Sequence, residues 1–263
     1  MASSLLVPAL GLSMPVLAAP MAGGPGTPDL VTAAARAGGL GFLSAGYKSP
    51  QALADEIAAV ARTGLPFGVN VFAPNPVPVD PAEFHRYADL IAVEADRYGI
   101  TLDASTPRED DDHWQDKIDV LRAHPVPVIS FTFGIPAARE LAALRATGAL
   151  LVQTVTSAAE AAAAAAAGVD ALAVQASAAG GHSATLTPGD PVPGVPLTEL
   201  VAAVRHSVDL PLVAAGGLAT PADVAAACLF LASPQAGYIS GSTLTVHGGG
   251  EPPVFLSARQ VRD

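Results

Sequence analysis

One histidine stands out among the residues whose types could do chemistry. His182 follows two glycines in the stretch Ala179-Gly180-Gly181-His182-Ser183, shortly after an apolar run that ends at Gln175. Because histidine titrates near neutral pH, it can take up or release a proton during a reaction. The amides of Asn70 and Gln175 each offer donors and an acceptor, which suits the edge of a heterocycle. These residue types favour acid–base chemistry on a bound organic ligand.

The positions around these side chains carry little charge. Small residues and glycines follow the apolar runs, as in Met21-Ala22-Gly23 and Gly216-Gly217. Glycines let backbone amides approach a large flat ligand and its phosphate, whereas a divalent metal calls for Asp, Glu or several His ligands. The acidic run Glu109-Asp110-Asp111-Asp112 is interpreted as a solvated loop and a helix N-terminus rather than a metal site. We therefore predict no metal centre.

A parallel sheet would bring these residues together. Seven short apolar runs alternate with helix-like segments, which is the pattern of βαβ units. The predicted strands are Val16–Met21, Gly41–Ala45, Phe67–Phe72, Val126–Phe131, Leu150–Val155, Ala171–Gln175 and Leu210–Ala215. The predicted helices are Pro28–Ala37, Gln51–Arg62, Ala82–Tyr98, Ala137–Ala146, Ala158–Ala167, Leu197–His206 and Pro221–Leu231. Thr27 and Ser157 are predicted N-caps. Glycines 38, 64, 99, 148 and 168 are expected to end helices.

Seven such units favour an α/β fold of the TIM (β/α)8 barrel type over a doubly wound sheet. The first βα turn, Met21 to Gly26, is rich in glycine but lacks the G-x-G-x-x-G spacing of a dinucleotide-binding turn. In a parallel barrel the chemistry lies at the carboxyl ends of the strands. Asn70, Gln175 and His182 all fall at or just after such predicted ends.

The composition of the chain limits its function classes. Its 263 residues are 51% hydrophobic and 14% charged, which excludes intrinsic disorder. A net charge of −11 argues against general binding to nucleic acids or anionic membranes, and the single cysteine excludes an internal disulfide. No apolar run reaches the length of a membrane span, and no Lys or Arg precedes Arg36, as a signal peptide would require. A cytoplasmic location is expected.

The same residues carry a resemblance to the nitronate monooxygenase (2-nitropropane dioxygenase-like) family of FMN-dependent barrels. The resemblance covers roughly residues 14 to 228, and the order and spacing of its stretches are more specific than any one of them. The matching stretches are Ala18–Gly24, Ala37–Gly41, Phe67–Phe72, Ser130–Gly134, Val152–Ser157, Gly180–His182 and Val213–Gly217.

This resemblance implies FMN contacts and a catalytic residue. The candidate FMN-binding residues are Met21, Asn70, Gln175, Gly180, Gly181, Gly216 and Gly217. His182 matches the family's catalytic histidine. Simpler interpretations stay open: the two amides could satisfy loop backbone, the glycines could serve turn geometry alone, and His182 could be a loop histidine without chemistry. The chain also has Ala176-Ser177-Ala178 where the family usually has a glycine and an acidic residue, which affects how His182 is oriented.

The activity implied by the resemblance is oxidation of alkyl nitronates by molecular oxygen to carbonyl compounds and nitrite. His182 would take the α-proton from a neutral nitroalkane or, when protonated, stabilise the nitro oxygens. One alternative is a flavin-type enoyl-ACP reductase, which shares the barrel and the Gly-Gly-His loop but uses NAD(P)H. Another is a chimeric barrel with impaired flavin binding and no activity.

The C-terminal part of the sequence departs from the family. Residues 1–228 are predicted to form the FMN-binding barrel, and residues 229–263 a divergent tail that resembles the end of short-chain dehydrogenases. No typical eighth strand follows Gly217. The β-branched segment Thr243–Val246 could substitute for that strand, and Gly248-Gly249-Gly250 could then offer amides to a phosphate.

Overall fold

The computed structural model describes residue 8 and residues 10–75, 77–103, 107, 109–190 and 194–217. The strands in these residues are β1 (Leu17–Ala18), β2 (Leu40–Ser44), β3 (Phe67–Phe72), β4 (Val128–Thr132), β5 (Leu150–Val155), β6 (Ala171–Gln175) and β7 (Leu212–Ala215). The helices are α1 (Pro28–Arg36), α2 (Pro50–Ala61), α3 (Pro81–Arg97), α4 (Trp114–Ala123), α5 (Ala138–Arg145), α6 (Ala158–Ala167) and α7 (Leu197–Ser207). A short 3-10 turn spans Ser177–Ala179.

The seven strands form one parallel sheet in chain order, β1 to β7. Strand, helix and strand follow one another in the manner of a TIM-type barrel, which confirms the predicted fold class. The register aligns Ser44 of β2, Asn70 of β3 and Ser130 of β4 in one row, and Gln175 of β6 beside Ala215 of β7. The predicted helix Pro221–Leu231, the substitute strand Thr243–Val246 and the boundary at residue 228 lie outside the described residues.

Local sequence signals account for most element boundaries. Thr27 and Ser157 are N-caps whose hydroxyls accept hydrogen bonds from the backbone N–H groups of Leu30 and Glu160, at 3.3 Å and 3.2 Å. Pro28 occupies the first helical position of α1, where its missing N–H costs nothing. The five glycines predicted to end helices all have positive φ.

Two elements differ from the prediction. Strand β1 has only two residues, because pairing with β2 is confined to Leu17 and Ala18. The acidic run Glu109–Asp112, interpreted as a solvated loop and a helix N-terminus, is followed by a complete helix, α4, which is absent from the predicted helices. This helix forms because Trp114, Ile118 and Leu121 recur at helical spacing and bury one face against the sheet.

Two apolar clusters lie on opposite faces of the sheet. The larger cluster joins alternate strand residues such as Val69 and Ile129 to the inner faces of the helices. The smaller cluster contains Phe42, Val128 and Val152 but no helix residue, so it fills the interior of the sheet. Burial of both faces explains why these strands read as continuous apolar runs. No helix in the described residues combines enough length and apolarity to cross a membrane.

Candidate active site at the carboxyl ends of the strands

A layer of polar side chains lies directly above the interior apolar cluster. Ser44, Asn70 and Ser130 stand two residues beyond the interior layer on β2, β3 and β4, and so point to the same side of the sheet. The Asn70 amide, 2% exposed, donates to Ser130 Oγ and to Thr132 Oγ1, both at 2.9 Å. Ser44 Oγ is buried and has no hydrogen-bond partner among the described residues. The layer therefore contains a hydroxyl, Ser44 Oγ, that is available to hydrogen bond with a ligand at the carboxyl ends of the strands.

Gln175, the last residue of β6, holds the loop that follows it. Its Nε2 donates to the carbonyl of His182 at 3.2 Å, and its Oε1 accepts from the N–H of Ala184 at 2.7 Å. Both ends of the amide thus bind loop backbone, in agreement with the simpler of the two interpretations of this residue. Through these contacts, Gln175 fixes the position of the His182 backbone relative to the end of β6.

The glycine turns after β6 and β7 pack against each other. Gly216 has a φ of +103°, and a Cβ placed on it would lie 2.7 Å from the backbone nitrogen of Ala179. This close approach brings Gly216 and Gly217 beside the turn that leads to Gly180 and Gly181. A Cβ at Gly181 would meet nothing within 4 Å, so the backbone there is open to a ligand.

His182 is exposed at the junction of two clefts. A small cleft of about 120 Å³ lies between Gln175, Gly180 and Gly181, and a larger one of about 390 Å³ lies toward β3 and β4. His182 lines both. The walls of the larger cleft are chiefly aromatic and aliphatic groups, which favours a ligand with apolar parts.

Four rings form a row along the larger cleft. Tyr47, Phe72, Phe133 and His182 make successive edge-on contacts, with ring centroids 5.5, 4.9 and 6.3 Å apart. Tyr47 and Phe133 have φ values of +65° and +74°, which side chains of this size rarely adopt. Such strain persists only where the surrounding structure over-determines it, and it concentrates at functional sites.

The acidic run forms one wall of the larger cleft. Asp110 and Asp111 are exposed, as the solvated-loop interpretation predicts, and Asp112 is not. Asp112 Oδ1 accepts from the N–H of Tyr47 at 3.0 Å, and its Oδ2 lies 2.7 Å from Lys117 Nζ. Neither charged atom forms an aligned hydrogen bond there, so the pair is a contact ion pair. The sequence interpretation missed this pair because Lys117 turns inward from α4.

A buried carboxylate ties the His182 loop to the neighbouring strand. Glu160 of α6 is 5% exposed, and its two oxygens accept hydrogen bonds from Thr156, Thr185 and Leu186. Sequence reasoning did not single out Glu160. The Ser-x-x-Glu spacing that begins at Ser157 was an available signal, because it usually marks a glutamate that turns back onto its own helix end.

The structure brings most of the predicted site residues to one end of the sheet. Gln175, Gly180, Gly181 and His182 line the small cleft, and Gly216 packs against Ala179 beside it. Asn70 lies in the polar layer beneath the aromatic row. Met21 is exposed in the turn after β1, where its carbonyl accepts from the N–H of Gly26 at 3.2 Å. In the described part of the chain it shares no hydrogen bond with the other predicted residues.

Comparison with known proteins gives consistent matches. A family model described as nitronate monooxygenase matches residues 5–242. A probable nitronate monooxygenase of Staphylococcus aureus (strain Newman) is 35% identical over 218 residues, which cover 80% of this chain and 59% of the relative. A probable nitronate monooxygenase of Bacillus subtilis is 31% identical over 245 residues, which cover 92% and 69% of the two chains.

A solved structure agrees with the sequence matches. The nitroalkane oxidase of Streptomyces ansochromogenes superposes with a TM-score of 0.72 at 41% identity, covering 85% of this chain and 64% of that one. This chain spans only 59% of the length of the Staphylococcus aureus relative. The similarity therefore concerns only part of the length of those proteins.

Proposed function

This chain belongs to the nitronate monooxygenase family, and on that premise we propose that it oxidises alkyl nitronates with molecular oxygen to a carbonyl compound and nitrite. FMN is the proposed cofactor. The observation that carries the proposal is the position of His182, which lines both clefts at the carboxyl end of the sheet. The single cysteine of the chain suits the reducing cytoplasm, where we expect the protein to act.

The residues at this end of the sheet fit a flavin. Ser44 Oγ is buried without a partner among the described residues, and the neighbouring Asn70 is the amide proposed to meet the ring edge. The turns at Gly180 and Gly216 are proposed to let the backbone approach the cofactor. No Lys or Arg of the described residues lines either cleft, so the phosphate would be held by backbone amides. When bound, the flavin would supply the redox chemistry.

The chain's own residues bind and prepare the substrate. The row of Tyr47, Phe72 and Phe133 lines one side of the larger cleft, where it would offer an apolar surface to the alkyl group. The His182 imidazole either removes the α-proton of a neutral nitroalkane or, in its protonated form, stabilises the negative nitro oxygens. The first role is needed only with a neutral nitroalkane, whereas the second is needed with the preformed nitronate as well. Activity measurements on both substrates can therefore separate the two roles.

The first experiment tests for the cofactor and the reaction. Purified protein, reconstituted with FMN if necessary, should show the visible absorbance of a flavoprotein. With an alkyl nitronate it should consume oxygen and release nitrite in the absence of nicotinamide. NADH oxidation dependent on an enoyl thioester, without nitronate turnover, would instead support the reductase alternative. A colourless protein that cannot bind FMN would refute both enzymatic readings.

The second experiment assigns the role of His182. His182→Asn should lower kcat by about 10²-fold or more with a neutral nitroalkane. If His182 is the base, the variant keeps its activity on the preformed nitronate; if it stabilises the nitro oxygens, both activities fall. The matched control is His206→Asn on α7, an exposed histidine whose Nδ1 lies 2.7 Å from the carbonyl oxygen of Ala202 on its own helix. Equal activity of the two variants on both substrates would refute a catalytic role for His182.

A further inference from the structure

We propose that Glu160 is a positioning residue for His182. Its buried carboxylate fixes residues 182–187, here called the histidine segment, and thereby sets the place of the imidazole over the substrate. This inference rests on the proposed function, because it assigns a task within the same site. Glu160 itself touches neither cleft, so its contribution passes through the backbone of the segment.

The contacts of Glu160 join two separate elements. Oε2 accepts from the backbone N–H and from the hydroxyl of Thr156, the latter at 2.9 Å, just after β5 ends. Oε1 accepts from the hydroxyl of Thr185 at 2.8 Å and from the N–H of Leu186 at 2.7 Å. Four donors therefore converge on one carboxylate that is almost out of contact with solvent. Hydrogen bonds of this charge-assisted kind are short and strong.

Glu160 and Gln175 hold adjacent parts of the histidine segment. Gln175 binds the backbone at His182 and Ala184, and Glu160 binds at Thr185 and Leu186. The imidazole itself has no hydrogen bond to the described residues and meets only the edge of Phe133. The position of the imidazole consequently depends on the backbone of the segment. Of the two side chains that bind this backbone, Glu160 is the more buried.

The donor set requires a carboxylate at this position. Each oxygen of Glu160 faces a backbone N–H, from Thr156 or from Leu186, and neither N–H can reverse its direction. A glutamine has one acceptor oxygen and one NH2 group. Whichever way this amide is turned, its NH2 group faces the backbone N–H of Thr156 or of Leu186. Two donors then oppose each other at that site. Glu160→Gln therefore nearly preserves the shape of the side chain but loses one of the two backbone hydrogen bonds.

Glu140 provides a matched control. It lies in the first turn of α5, is 8% exposed, and accepts hydrogen bonds from the N–H of Ala137 and from Nε1 of Trp114. Glu140→Gln meets the same conflict between donors, yet none of its hydrogen bonds reaches the histidine segment. Both variants set an amide against a fixed backbone N–H, and only Glu160→Gln weakens a hydrogen bond to the histidine segment.

The experiment compares Glu160→Gln and Glu140→Gln as FMN-loaded proteins. Hydrogen exchange of the Leu186 amide should accelerate about tenfold or more in Glu160→Gln alone, since one protecting bond is lost. The kcat for a neutral nitroalkane should fall about 10- to 100-fold with KM within about twofold, as expected when a reacting group is displaced by about 1 Å. Glu140→Gln should change neither quantity, even where its thermal midpoint falls equally.

Defined results would overturn the inference. Unchanged exchange of Leu186 in Glu160→Gln would remove its structural basis, and an equal loss of kcat in Glu140→Gln would show a general effect of stability. If Glu160→Gln fails to fold, Thr185→Val and Thr185→Ser replace it. Valine removes one donor to Oε1 and should cost more activity than serine, and equal losses would contradict the proposal. If the wild type lacks nitronate activity, the proposed function fails, and the exchange result alone decides whether Glu160 holds the segment.

Discussion

The contact ion pair between Asp112 and Lys117 gives the sharpest test of the packing beside the cleft. The Lys117 side chain is 1% exposed and that of Asp112 16%. Asp112→Asn keeps the shape of the side chain and the oxygen that accepts from Tyr47. It removes the negative charge and turns an NH2 group, itself a donor, toward the Lys117 ammonium. The ammonium of Lys117 then stays buried without a counter-charge, which we expect to destabilise the protein strongly.

The expected magnitude follows from this burial. Breaking a buried pair so that one charge stays behind costs about 3–5 kcal/mol. For a chain of this size, each kcal/mol shifts the thermal midpoint by about 2–4 °C, so Asp112→Asn should lower it by about 6–20 °C. Lys117→Met leaves behind the partner with more solvent contact, whose Oδ1 still accepts from Tyr47, and should cost less than Asp112→Asn. In the double variant most of the loss should be recovered, because no buried charge is left.

Urea and thermal unfolding of the three variants measure these differences. Asp119→Asn is the control on the same helix, since its ion pair with Arg122 is more than half exposed on both sides. It should change the free energy of unfolding by less than about 1 kcal/mol. The reasoning is refuted if Asp112→Asn costs no more than Asp119→Asn, or if Lys117→Met costs as much as Asp112→Asn.

Three further changes test the glycine turns, a helix cap and the polar layer. Gly216→Ala should weaken FMN binding and lower stability by more than about 2 kcal/mol, because strain at positive φ adds to a contact with Ala179. An equal loss of stability in Gly181→Ala, whose added Cβ meets nothing within 4 Å, would contradict this in urea unfolding. Ser157→Ala should lower the free energy of unfolding in urea by about 1 kcal/mol, because helix α6 loses its N-cap. An unchanged free energy of unfolding would exclude a capping role for Ser157. Asn70→Leu should cost about 1–3 kcal/mol and reduce flavin affinity, and unaltered affinity would remove Asn70 from the proposed site.

The alternation of strands and helices was predictable because local sequence signals determine it. Buried parallel strands produce apolar runs, and caps such as Thr27 mark helix starts within one or two residues. The sequence also indicated which residues would gather at the carboxyl ends. Asn70 and Gln175 lie toward those ends because the parallel register places them there. His182 follows in the loop that Gln175 binds.

The features that the sequence did not reveal depend on distant contacts. Glu160 reaches partners 25 and 26 residues away, so no local pattern announces its role beyond a capping signal. The positive φ values of Tyr47 and Phe133 accompany ring contacts with Phe72 and go against the local preference of aromatic residues. Lys117 is likewise buried only because Asp112 is folded back to meet it.

Trp114 is the chain's single tryptophan, and its location has an optical consequence. The indole is buried between α4 and α5, donates to Glu140 at 3.3 Å and meets the edge of Phe131. It therefore belongs to the helix-covered face, and the clefts open on the carboxyl end of the sheet. Its emission should be blue-shifted in the native state and move to longer wavelength when the outer helices detach. The protein thus contains a fluorescent reporter of its helix layer alongside any absorbance from a cofactor.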